Sequence, residues 1–186
     1  MAYVAPTTRS VGDAVTAADY NIMANNAIFL AKPPMARLRL TSNVSFSNST
    51  HGTLAFTSSI ATEDYDTDAM INLSGTPSAI TIKTAGVYNC AASIDWTANG
   101  TGVRFLRIVR NRSGTLTAVT AMFLSAPGTS DGHMSVSGMI ECAVNDTIDI
   151  YGYQSSGAAL IVKPADAAGI EYGGTWLSVA WVGFTS

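Results

Sequence analysis

Two periodicities divide the chain. Over residues 16–30, TAADYNIMANNAIFL, apolar positions recur at helical spacing: Tyr20, Met23, Ala27 and Leu30 share one face, while Asn21, Asn25 and Asn26 carry polarity elsewhere. Thr16 and Asp19 have the spacing of a capping box, and Lys32-Pro33-Pro34 stops the run, so one short helix is predicted. A helix of this length does not stand alone in water and must dock. Two readings stay open: it packs on its own domain, or residues 1–34 form an arm that holds a neighbouring subunit or a larger particle.

From residue 35 the helical period vanishes. Short alternating runs follow, punctuated by Gly, Asn, Ser and Pro clusters, and predict strands at 35–41, 53–58, 69–73, 79–83, 86–96, 103–111, 117–124, 134–144, 147–154, 159–162 and 175–184. So many closely spaced strands specify an all-β sandwich, jelly roll or small barrel over residues 35–186. In TWLSVAWVGF, Leu177, Val179 and Trp181 lie on one face, and Trp176, Ala180, Val182 and Phe184 on the other. A sandwich strand with one wet face alternates apolar and polar, so this pattern predicts cover on both sides, the second supplied by another subunit. The strands holding Phe105, Tyr151 and Tyr153 share the pattern in part. The candidate subunit-interface residues are therefore Phe105, Tyr151, Tyr153, Trp176, Val182 and Phe184.

Composition adds to the same expectation. The 186 residues are 47% hydrophobic but only 12% charged, which leaves little material for a fully water-facing surface. The formal net charge of -3 provides no basic field for nucleic acid. No stretch approaches a membrane span. The N-terminal sequence lacks the pattern of a secretory signal, so cytoplasmic synthesis is expected. The N-x-S/T sequons beginning at Asn43, Asn48, Asn72, Asn99, Asn111 and Asn145 are accordingly read as features of polar loops. Cys90 and Cys142 each fall on the apolar side of an alternating strand and are read as buried free thiols, a cross-sheet disulfide being the alternative.

Candidate chemistry is sparse. Asp64, Asp66 and Asp68 have the alternate spacing that opens a calcium loop, but Ala69 and Gly75 stand where that loop requires Gly and Glu, so the run is read as a solvated acidic loop. His51 and His133 sit beside glycines and are read as surface-loop residues. Asp131 precedes His133 by two positions, yet no framed nucleophile accompanies them. Paired carboxylates for glycoside cleavage have only Asp95, Glu141 and Glu171 to draw on. Neither zinc spacing nor a phosphate-cradling glycine loop occurs, so no metal, cofactor or enzymatic reaction is expected. Arg104 and Arg110 alternate with Arg107, which excludes a single basic face and leaves nearby carboxylates as their expected partners.

The segments AGVYNCAASIDW (85–96), VSGMIECAVNDTIDIY (136–151) and GTWLSVAWVG (174–183) resemble the pattern of C1q/TNF-like domains: a Gly-x-Tyr opening a core strand, a short turn between two apolar strands, and an aromatic last strand. EDYDTDAM (63–70) fits the loop before the Gly-x-Tyr strand. The resemblance implies an antiparallel jelly-roll sandwich of about ten strands that assembles as a homotrimer. Residues 1–34 are similar to N-terminal segments of tailed-phage virion proteins, with a helix of VTAADYN type and a Pro-Pro break. Neither a collagen Gly-X-Y stalk nor an anchor of the cytokine branch accompanies the domain. The implied role is therefore a structural protein at the virion surface, joined to capsid or tail proteins through the arm candidates Tyr20, Met23, Ala27 and Leu30. The alternative is a receptor- or host-glycan-binding module at a tail or fibre tip, using loops such as 97–102, 125–133 and 154–158. Few exposed aromatics are expected there to stack on sugar rings.

Overall fold

The structure, a computed structural model, describes residues 4, 8–74, 79–164 and 174–184. Among the described residues one helix, α1 (Ala17–Ala31), precedes twelve strands. These are β1 (Met35–Leu40), β2 (Val44–Phe46), β3 (Gly52–Thr53), β4 (Ala61–Asp66), β5 (Ala79–Thr81), β6 (Gly86–Trp96), β7 (Val103–Arg112), β8 (Thr115–Ser125), β9 (Gly132–Cys142), β10 (Thr147–Gln154), β11 (Leu160–Lys163) and β12 (Trp176–Gly183). They form two antiparallel sheets. The first runs β2-β11-β6-β12-β1-β4 with β9 on the other edge of β6; the second runs β3-β10-β7-β8, with β5 also on β10.

The inward faces close one core. Alternation puts Tyr88, Cys90, Ala92, Ile94 and Trp96 of β6, Leu177 and Val179 of β12, and Ala36, Leu38 and Leu40 of β1 against Leu106, Ile108, Ile148 and Ile150 of the second sheet, all buried. Both cysteines are free and buried. Burial, reinforced by nearby Cys142, raises the Cys90 thiol to about 12; burial, with Asp146 beside it, raises Cys142 to about 11.

Gly86 explains the Gly-x-Tyr sequence physically. A Cβ there would stand 2.3 Å from Trp181 Nε1 and 2.6 Å from the Gly183 carbonyl, where β12 bulges between Trp181 and Gly183. Two residues on, the Tyr88 hydroxyl donates to the Thr84 carbonyl at 2.6 Å, so the buried ring keeps its polar tip satisfied.

Several expected elements take another form. The 63–70 segment is a loop only from residue 67: Ala61–Asp66 is an edge strand on β1, with a bulge between Arg37 and Leu38. Asp64 pairs with Arg37 and Arg39, Asp66 accepts from the backbone N–H groups of Asp68 and Ile71, and Asp68 accepts from Thr84 Oγ1. The carboxylates are thus engaged in holding the fold. Residues 53–58 and 69–73 carry buried Leu54, Phe56 and Met70 into the core, but the strand there is only Gly52–Thr53. His133 belongs to β9 rather than to a loop.

Candidate functional site

Three surfaces stand out, the first being α1. Its capping box forms: Thr16 Oγ1 accepts from the Asp19 N–H at 3.3 Å, and Asp19 Oδ2 accepts from the Thr16 N–H at 2.8 Å. Arg9 adds a two-pronged pair to the Asp19 carboxylate at 2.5 and 2.6 Å. Arg9 first, then Thr16, holds that carboxyl well below the usual carboxylate range.

The docking face of α1 differs from the face that periodicity marks. Asn26 and Phe29 are buried and Ile22 half-buried, whereas Tyr20, Met23, Ala27 and Leu30 point away, with Tyr20 66%, Met23 57% and Leu30 62% exposed. Phe29 meets Trp181 edge-on at 5.0 Å and stacks on Phe184 at 6.0 Å. Asn26 pairs with the backbone of Val4, accepting from its N–H at 3.0 Å and donating to its carbonyl at 2.8 Å. The helix therefore packs on its own domain through Phe29, and Tyr20, Met23, Ala27 and Leu30 form the opposite, exposed face. The cleft between the helix end and Thr67–Asp68 encloses about 80 Å³, below the size of an ordinary small-molecule site.

The second surface is the outer face of the first sheet. Cross-strand register lays out the rows Arg39–Trp176–Ser93–Ser135, Arg37–Ser178–Ala91–Ser137 and Met35–Ala180–Asn89–Met139. Small side chains at the centre of three long strands make it shallow. Trp176 is half-buried beneath the Arg37 guanidinium at 4.6 Å, and Met139 is 70% exposed. His133 shares this face and lies 3.1 Å from Ser135 Oγ. Asp131, which sequence spacing offered as its orienting partner, instead accepts from the Ala98 N–H and pairs with Lys163.

The third surface is the outer face of the second sheet. Register aligns Phe123, Phe105 and Tyr153 across β8, β7 and β10, and His51, just before β3, stacks on Tyr153 at 4.3 Å. Phe123 lies 4.4 Å from Phe105 and is 69% exposed. One row along, the Arg107 guanidinium stands 5.6 Å from the ring centroids of both Phe105 and Tyr151. The six interface candidates thus divide between opposite faces of the sandwich: Phe105, Tyr151 and Tyr153 here, Trp176 on the first sheet, Phe184 against Phe29 of α1, and Val182 exposed near the end of β12.

Two of the arginines, Arg104 and Arg107, depart from the expected carboxylate pairing, whereas Arg110 and Arg112 both meet Asp146. Arg104 is fully buried, donates to the carbonyls of Thr101, Val103 and Asn99, and so ties down the 97–102 loop. Arg112 pairs with Asp146 at 2.7 Å. Among the described residues Arg107 contacts rings alone. Sequence reasoning named Phe105 and Tyr153 but missed His51 and Phe123 beside them; the alternation of Phe105 with Arg107 and of Tyr151 with Tyr153 was the available signal. Among the described residues no group of three His, Cys, Asp or Glu side chains could hold a metal ion, and no helix is long and apolar enough to cross a membrane.

The sandwich matches solved structures over most of its length. Murine APRIL superposes with a TM-score of 0.57 at 11% identity, over 80% of this chain and 98% of that one. The chain has a C1q/TNF-like jelly-roll fold. Eiger TNF from S. frugiperda matches this C1q/TNF-like jelly roll with a TM-score of 0.58 at 8% identity, covering 82% and 94% of the two chains. The globular domain of zebrafish complement 1qA matches with 0.53 at 11% identity, covering 82% and 99%. No family model matches the sequence, and neither does any curated protein.

Proposed function

We propose that the chain is a non-enzymatic structural protein of a tailed-phage particle. In this reading it is made in the host cytoplasm and forms a homotrimeric decoration or fibre-type protein on the virion surface, attached through its N-terminal arm to capsid or tail proteins. The observation that carries the proposal is the division of α1 into two faces. Phe29 fastens it to the domain and Asn26 to the backbone of Val4, while Tyr20, Met23, Ala27 and Leu30 present an apolar stripe with nothing over it among the described residues. A stripe of this kind suits a helix-in-groove contact. The shallow outer face of the first sheet suits the three-fold contact, with Trp176 as its aromatic anchor and Val182 and Phe184 at its margin.

Point variants test the arm better than truncation, because removing residues 1–33 would also strip Phe29 from Trp181. The combined variant Tyr20→Ser, Met23→Ser, Leu30→Ser should keep its thermal stability and its mass in native mass spectrometry, yet lose binding to particles lacking the protein. Binding equal to that of the unaltered chain would refute the arm. Ala180→Arg, in the middle of the shallow face, should turn a species of three chain masses into a monomer; a persistent trimer would place the contact elsewhere.

A further inference from the structure

The outer face of the second sheet carries a site independent of the arm. Four rings gather across the sheet: Phe123 lies 4.4 Å from the buried Phe105, Phe105 6.0 Å from His51, and His51 4.3 Å from Tyr153. With strands about 4.8 Å apart the patch is roughly 10 Å across, enough for about two sugar rings. Ring faces of this kind suit the apolar C–H faces of saccharide rings, and Tyr153 and His51 add polar edges. Beside the patch stands Arg107. Arg9, Arg37, Arg39, Arg110 and Arg112 all have carboxylate partners, and Arg104 has three carbonyls, but among the described residues Arg107 has only the two rings.

We propose that this patch is a binding platform for an acidic glycan, the accessible rings of Phe123, His51 and Tyr153 stacking on the sugars over the buried Phe105, and the Arg107 guanidinium taking a sugar carboxylate. Charge complementarity selects this occupant. A guanidinium held over ring faces presents its donors to a planar carboxylate. One cation on a chain of net charge -3 satisfies one carboxylate but provides no track for a phosphate backbone. The nearby acid on this face is Asp149, buried and accepting from Thr147 Oγ1 at 3.2 Å; it lies two residues from Tyr151, on the side away from Phe105, and directs the anion to the Phe105 end.

The test is calorimetric titration of the full-length chain with polygalacturonate oligosaccharides, and with neutral maltohexaose as the reference. The acidic oligosaccharide should bind at least tenfold more tightly. Phe123→Ala, at an exposed position, should weaken it about tenfold with unchanged melting temperature. Arg107→Gln should abolish the preference for the acidic sugar. Overturning results are no binding of either oligosaccharide at millimolar concentration, equal binding of both, or Phe123→Ala binding as the unaltered chain does. The Tyr20, Met23 and Leu30 variants should bind the oligosaccharide normally, which separates this site from the arm.

Discussion

Gly86 and Trp181 occupy adjacent strands so closely that the space for one methyl group at Gly86 is already filled by the indole. Gly86→Ala forces either the indole or the Gly183 carbonyl to move. It should cost about 1–3 kcal/mol, the usual range for overpacking a core. Chemical denaturation measures this, and a change below half of the lower bound would show that β12 shifts freely.

The two thiols make stability fall in alkali. Each is held protonated in the folded protein, to about 12 for Cys90 and about 11 for Cys142, whereas in the unfolded chain both ionise near 9. Their contribution is therefore fully present below pH 9 and lost as pH rises from there through 11 and 12. Melting temperature should drop over that window, less steeply in Cys142→Ala. At pH 8 a thiol reagent should modify the native protein only as fast as it unfolds, measured by absorbance.

Asp146 anchors the turn between β9 and β10. Burial alone would raise its carboxyl, but Arg112, the Ala143 N–H and nearby Arg110 outweigh burial and hold it below its ordinary value. Its contribution is present above about pH 4, the unfolded carboxylate range, and lost as pH falls further. Asp146→Asn should cost about 2 kcal/mol at pH 7, in line with a charged hydrogen-bonded partner removed from a nearly buried site. The difference from the unaltered chain should shrink toward pH 3 in urea melts.

At the start of α1, Thr16→Ala removes one half of the capping box and should cost about 1 kcal/mol of helix stability. Hydrogen exchange should quicken over residues 17–22 while β6 remains protected. Faster exchange throughout β6 would mean that helix and sandwich unfold together.

How legible these features were depends on the residue. Strands 86–96 and 147–154 appear at their predicted bounds, because long alternation with one buried face admits a single register. Ala61–Asp66 escaped notice because its side chains are acidic and their compensation comes from Arg37 and Arg39, far away in sequence. The docking face of α1 was obscured by Asn26, a polar residue buried through its pairing with the Val4 backbone, while larger apolar residues face outward. The aromatic patch was invisible as a unit because its four rings come from segments up to about a hundred residues apart, brought together only by strand pairing.

The edges of the first sheet carry a further consequence. On one side β4, bulged and lined with Glu63 and Asp64, offers its hydrogen-bonding groups beside negative charge; on the other path end β2 is only three residues long. Such borders discourage a stray strand from adding on. At these two borders, copies crowded together at high local concentration are steered away from stacking strand upon strand into fibrils.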